Sequence, residues 1–160
     1  MITHADMDHA GNARVFQAEW GAPIAAHSAD AAFLETGSSP KRRGRGPLSS
    51  ALMGLSGLMR SAGGGARGGL VPDILLADGQ SLEAWGLVAR VLHLPGHTPG
   101  SIALLTEGGA FLSGDVFANR GRPDVSPFIE NLEAYRESLR RAKAMVPSIA
   151  TVYPGHGRSF

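Results

Sequence analysis

The sequence predicts an α/β sandwich built on mixed sheets, and three observations carry that reading. Short apolar runs of strand length recur along the chain, and stretches of helical period stand between some of them. The two kinds do not alternate in the regular strand–helix–strand order of a parallel, doubly wound sheet. With 160 residues, 43% hydrophobic and 18% charged, the chain can bury one core and would be crowded as two domains.

Taken in order, residues 1–3 read as the end of a buried strand, followed at once by a polar cluster, and Gly11-Asn12 opens a helical stretch to about Trp20. Residues 23–26 form a short apolar strand. Ser28 is placed to cap a brief helix through Leu34 by accepting from its first free backbone N–H groups. From about residue 36 to 70 the composition shifts to Gly, Ser and Pro, with a basic run at Lys41-Arg42-Arg43-Gly44-Arg45 and glycines at 63–65, 68 and 69. This segment is read as a flexible insertion. Inside it, Leu48, Leu52, Leu55 and Met59 recur at helical spacing and would make an apolar stripe that needs something to cover.

Residues 73–76 read as a strand, Asp78-Gly79 as a turn and residues 85–94 as a further β segment. Strands at 102–105 and 110–112 are joined by the hairpin signal Glu107-Gly108-Gly109. Residues 132–145, with Tyr135, Leu139 and Ala142 on one face, are the clearest helix. Residues 150–153 are a last strand, after which Pro154-Gly155-His156-Gly157 is expected to turn.

Composition narrows the function classes. A formal net charge of +1 gives no global reason to expect nucleic acid or an acidic membrane as partner. No run approaches the roughly 20 apolar residues of a membrane span, and the start lacks the basic-then-apolar order of a signal peptide. A soluble, cytoplasmic protein is expected, with a signal lost alongside missing N-terminal residues as the alternative. The chain has no cysteine, so thiolate metal sites and cysteine nucleophiles are excluded, and the six histidines with carboxylates would have to hold any metal.

Four of those histidines, His4, His9, His97 and His156, sit beside turns at strand ends among small residues. His4-Ala5-Asp6-Met7-Asp8-His9 puts four potential ligands into six positions, which alone fits a helix-capping cluster as well as a metal site. Pro95-Gly96-His97-Thr98-Pro99-Gly100 places a His in a tight loop after an apolar strand. Ser113-Gly114-Asp115 ends another strand in a carboxylate, and Tyr153-Pro154-Gly155-His156-Gly157 repeats the strand-then-His arrangement. His27 and His93 read as structural. Asn119, Arg120 and Arg122 read as a solvated loop.

This ordered set resembles the metallo-β-lactamase superfamily, whose HxHxDH motif, GHTPG-type loop, GD motif and late His stand here as His4 to His9, His97, Asp115 and His156. The resemblance implies a metallo-β-lactamase αβ/βα sandwich. It implies a first metal on His4, Asp6 and His97 and a second on Asp8, His9 and His156, with Asp115 bridging. The family's two ions, about 3.5–4 Å apart, share a water and lower its pKa so that a bridging hydroxide attacks a carbonyl or phosphoryl centre. Asp8 and Asp115 are thus the implied catalytic residues. Position 6 departs from the commonest pattern, reading HxDxDH, and an Asp there is a harder, charged ligand. Two divalent ions are expected, zinc first, with manganese or iron admitted.

In the family several strands precede the first motif, whereas three residues precede His4 here. Residues 1–160 are therefore expected to be a partial domain lacking its N-terminal strands. The leading functional expectation is a glyoxalase-II-like hydrolase of a thioester, lactone or other ester, with the insertion as a lid over an acyl group. Alternatives are a membrane-surface role for the insertion, a phosphodiesterase or nuclease resting on the Lys41 to Arg45 run, and a non-catalytic metal-binding fragment.

Overall fold

A computed structural model describes residues 1–44 and 69–160. In chain order the described elements are helices α1 (Met7–Ala10) and α2 (Ala13–Trp20), strand β1 (Ala25–His27), helix α3 (Ser28–Thr36), strands β2 (Arg43–Gly44) and β3 (Ile74–Leu76), and a 3₁₀ turn at Glu83–Trp85. Strands β4 (Ala89–His93), β5 (Ile102–Thr106), β6 (Ala110–Asn119), β7 (Pro123–Val125) and β8 (Phe128–Ile129) follow. Helix α4 (Leu132–Ala144), a 3₁₀ turn at Val146–Ser148 and strand β9 (Thr151–Gly157) complete them. The apolar stripe expected at Leu48 to Met59 lies outside the described residues.

β1 and β3 pair in parallel, with Ala25 opposite Ile74 and His27 opposite Leu76. β4, β5, β6 and β7 form an antiparallel run. β9 lies parallel along β6 from Ala110 to Asn119, so β5 and β7 share β6's other edge, one on each half of it. β2 pairs with β8 apart from both sheets.

The alternation of side chains across these strands builds the layers. Val91, Ile102 and Leu104 of the larger sheet meet Ala25, Ile74 and Leu76 of the smaller one. Their neighbours Leu92, Ala103 and Leu105 point the other way, onto Leu139, Ala142 and Met145 at α4. On the outer side of β1, Ala26 packs with Ile2, Ala13 and Leu34, beneath α2 and α3. Helix, sheet, sheet and helix thus stack as an αβ/βα sandwich.

Several local expectations are corrected. Residues 1–3 form no regular strand, yet they stitch the two sheets together: Ile2 N–H donates to Ala25 O at 2.8 Å, and Ile102 N–H donates to Thr3 O at 2.9 Å. The cap of α3 is His27, whose Nδ1 accepts from Ala29 N–H at 3.2 Å, and not Ser28, which is already helical. Residues 83–85 coil into a 3₁₀ turn before β4 begins at Ala89, since Leu82 is buried and fixes that bend. β6 runs on to Asn119, and Asp115 lies inside it, within the second of two register shifts, at Leu112/Gly114 and Gly114/Ala118. β9 likewise continues through Pro154 and His156 to Gly157, because Pro154 stands on an edge strand where a missing N–H costs no ladder bond.

α4 matches its expected boundaries within one residue. Asn131 caps it, its Oδ1 accepting from Glu133 and Ala134 N–H at 3.1 Å each. Tyr135, Ser138 and Ala142, at spacings of three and four, form its buried face. Tyr135 is 1% exposed; its hydroxyl donates to Val116 O at 2.5 Å and accepts from Ser126 N–H at 2.8 Å. Tyr135→Phe leaves both backbone groups without that partner, and a loss of about 1–3 kcal/mol is expected in urea unfolding. A loss below about 0.5 kcal/mol would mean that water or another group replaces the hydroxyl.

Candidate metal centre

The fold brings all seven sequence-predicted site residues together from four separate segments. His4 and Asp6 come from the loop before α1, and Asp8 and His9 from α1 itself. His97 stands on the β4–β5 loop, Asp115 at the irregular centre of β6, and His156 near the end of β9. His27 and His93 take no part. They stack on each other with ring centroids 3.9 Å apart, and His93 Nε2 hydrogen-bonds Pro99 O at 2.8 Å. Arg120 and Arg122 are exposed, as read, whereas Asn119 is no solvated loop residue: it is half-buried at the end of β6, paired with Pro123 and Gly157.

Each of the four clustered histidines directs Nε2 at a carboxylate. Asp6 Oδ2 lies 3.3 Å from His4 Nε2 and 3.2 Å from His97 Nε2. Asp115 Oδ1 lies 3.2 Å from His9 Nε2, while its Oδ2 lies 3.6 Å from His97 Nε2 and 3.4 Å from His156 Nε2. Asp8 Oδ2 is 3.2 Å from His156 Nε2 and 4.0 Å from His9 Nε2. Three donor groups result: His4 with Asp6 and His97, His4 with His9 and Asp115, and Asp8 with His9 and His156.

The other ring nitrogens explain this orientation. His97 Nδ1 is 2.8 Å from Phe128 O, a pure acceptor, so Nδ1 carries the proton and Nε2 keeps its lone pair. His4 and His9 both place Nδ1 against the Thr3 hydroxyl, at 3.1 and 3.3 Å. An oxygen with two lone pairs can accept from both rings and leave both Nε2 atoms unprotonated. Sequence reasoning passed over Thr3, which appeared only as the end of a strand. β9 can approach because residue 155 is glycine: a Cβ there would collide with Asp115 Oδ1 and lie 2.8 Å from His9 Cε1.

Whether these residues suit a cation can be read from their unmet bonding. His4 Nε2 and Asp115 Oδ1 are buried, and neither makes a well-aligned hydrogen bond; each has only a long imidazole–carboxylate contact, at 3.3 Å to Asp6 and 3.2 Å to His9. Buried polar atoms are nearly always paired, and lone pairs aimed at a common point are met by a positive ion. The donor set fits the group. Without an ion, burial opposes charge on Asp115, but the His9 imidazole 3.2 Å away and the neighbouring His4 and His97 rings outweigh it and hold its pKa at about 2. Burial also opposes charge on Asp6, yet His4, His97 and Arg42 hold its carboxyl well below the usual range. Burial lowers the His4 pKa, whereas for His9 the Asp115 contact overcomes burial and raises it.

Arg42 is a residue that sequence reasoning filed only under the basic run. Its guanidinium grips Asp6 with two hydrogen bonds, one from Nη1 to Oδ2 at 2.5 Å and one from Nη2 to Oδ1, with the Arg42 side chain 7% exposed. Asp6, Asp8, Arg42 and Met7 line a cavity of about 410 Å³ beside the cluster. Truncating one partner of a buried pair leaves an uncompensated charge, costing about 3–5 kcal/mol, while replacing both is far milder. Asp6→Ala and Arg42→Met are each expected to destabilise the metal-free protein by more than the double substitution. A purely additive cycle would show that the pair is uncoupled.

An αβ/βα sandwich with histidine and aspartate side chains converging from four segments defines a metal-site fold. The sequence profile of the metallo-beta-lactamase superfamily matches residues 1–156, and the chain belongs to that family. Among curated proteins it is 31% identical over 171 residues to the acyl-coenzyme A thioesterase MBLAC2 of Gallus gallus, covering 100% of this chain and 56% of that protein. It is 35% identical over 83 residues to the probable polyketide biosynthesis zinc-dependent hydrolase BaeB of Bacillus velezensis, covering 52% of this chain and 36% of that one. The chain thus spans between about a third and just over half of these relatives' length. Among solved structures, TTHA1623 in a di-iron-bound form aligns at 26% identity and TM-score 0.66 over 99% of this chain and 69% of that one. The superfamily protein ST1585 of Sulfolobus tokodaii shares the fold at 20% identity and TM-score 0.69, over 99% of this chain and 60% of that one.

Proposed function

We propose that the chain carries the metal centre of a hydrolase that cleaves a thioester, lactone or other ester of a small molecule, using two divalent cations. His4, Asp6 and His97 would hold one ion and Asp8, His9 and His156 the other, with Asp115 facing both. The single observation that carries this is the convergence of inward-turned Nε2 atoms on carboxylates, with His4 Nε2 and Asp115 Oδ1 buried and lacking a well-aligned hydrogen bond. The names of the thioesterase and zinc-dependent hydrolase relatives support an acyl substrate and zinc.

When bound, the ions supply Lewis acidity that acidifies water and polarises a carbonyl. The chain's own residues do the rest. Asp8, with its side chain 59% exposed and Oδ2 against His156, stands at the cavity, where the carboxyl oxygen not turned to His156 can orient a water and take its proton. The Thr3 hydroxyl and Phe128 carbonyl hold three imidazoles in the ligand tautomer. Arg42 offsets the extra negative charge that Asp6 brings in place of a neutral imidazole.

Phosphodiester cleavage is the weaker reading, since its support was the basic run and Arg42 of that run is turned inward onto Asp6. Metal-replete protein assayed against acyl thioesters, lactones and phosphodiesters, with metal content measured in parallel, tests the proposal. Ester or thioester hydrolysis with two ions per chain is expected. At most one ion per chain, or turnover of phosphodiesters alone, would overturn it.

A further inference from the structure

We infer that Asp30 is a positioning residue for the His4/Asp6/His97 group, holding from behind the two loops that carry it; the inference rests on reading that group as a metal site. In the sequence Asp30 looks like an ordinary carboxylate in a first helical turn, where the macrodipole favours it. In the fold it is 1% exposed and faces inward. Its Oδ2 accepts from Ala5 N–H at 2.8 Å and from the Thr98 hydroxyl at 2.8 Å, and its Oδ1 accepts from Gly100 N–H at 2.7 Å.

The identity of those donors matters. Ala5 lies between His4 and Asp6, and Thr98 follows His97 directly. One carboxylate therefore ties together the backbone on both sides of the point where His4 Nε2 and His97 Nε2 meet Asp6 Oδ2, at 3.3 and 3.2 Å. α3 is a firm support for it, since Leu34 is buried in the same core cluster as Ile2 and Ala5. Residue 100 must be glycine for this approach: a Cβ there would lie 2.6 Å from Asp30 N and 2.7 Å from Asp30 Cβ. The Asp8/His9/His156 group is carried by α1 and β9, and none of these three hydrogen bonds reaches those residues.

Only an acceptor can serve three converging donors. Asp30→Asn keeps the shape but turns an N–H₂ toward at least one of them, and Thr98→Val deletes the hydroxyl arm while keeping side-chain volume. Partners behind metal ligands typically change metal affinity by about 10–100-fold. Zinc(II) titration against a chromophoric chelator, on wild type, Asp30→Asn, Thr98→Val and Thr98→Ser, gives the test. Wild type should show two binding steps. In Asp30→Asn and Thr98→Val one step should weaken about tenfold or more with the other unmoved, and Thr98→Ser should restore it.

His156→Ala assigns the steps, because it removes a donor from the other group and should leave the Asp30-dependent step in place. Cobalt(II) substitution should show an altered visible spectrum for the affected step alone. A general loss of packing would weaken both steps together; that result, or two unchanged steps in both variants, overturns the inference. If Asp30→Asn fails to fold, Thr98→Val with its Ser rescue decides. Wild type that binds no zinc at His4, Asp6 and His97 would overturn the metal reading itself, and this shows in the wild-type arm before any variant is compared.

Discussion

Asp115→Asn should abolish ester hydrolysis, with kcat/KM falling by about 10³-fold or more, equivalent to about 4 kcal/mol of lost transition-state stabilisation. Among the described residues Asp115 is the carboxylate within reach of histidines from both sides of the cluster: Oδ1 meets His9, and Oδ2 meets His97 and His156. Asparagine fills the same space inside β6, yet it removes the negative charge between the two proposed ion sites and sets a donor where an acceptor stood. Metal content should fall toward one ion per chain. The metal-free melting curve should move much less than activity does, which separates a lost site from a lost fold. In the metal-free protein the Asp115 carboxyl titrates at about 2, below its ordinary 3.8, so what it contributes to folding is present above about pH 4 and lost as pH falls toward 2. A variant retaining both ions and most of its turnover would remove Asp115 from the mechanism.

His97, Asp115 and His156 were legible because each follows a glycine, Gly96, Gly114 or Gly155, and His4 to His9 because four potential ligands crowd into six positions, all in a recognisable order. The residues that hold them were not. Asp30 and Arg42 act through partners 25 to 70 positions away, and no local pattern encodes such a pairing; Thr3 acts on the nearby His4 and His9, but only the folded loop turns both rings onto its hydroxyl. Apolar periodicity located α4 and β5 well, since the buried face of each is apolar. It stopped short on β6 and β9, where Gly114, Asp115, Pro154 and Gly155 interrupt the apolar run although pairing continues across the irregularities. The residues that break the pattern are those that build the site, as expected where function overrides local consistency.

Zinc should raise the melting temperature of this protein by roughly 10–20 °C, and a chelator should reverse the shift. A ligand at about 100 times its Kd stabilises the native state by about 2.7 kcal/mol per site, and a domain of this size gains about 2–4 °C per kcal/mol. The increment should shrink with acid because the imidazoles must be unprotonated to bind. His9 has a pKa raised above 6.5 in the metal-free protein. Its protonated form stabilises that state below pH 6.5, a contribution lost as pH rises through the raised value, so protons displace an ion from His9 early in an acid titration. His4 is pushed the other way by burial and stays neutral to lower pH. The ion at Asp8, His9 and His156 should therefore leave first and the ion at His4, Asp6 and His97 later, resolving the zinc-dependent shift into two steps as the pH falls from neutrality into the acid range. Melting curves with and without zinc across that range check this. A shift of equal size at both ends would mean that histidines do not hold the metal, whatever their arrangement.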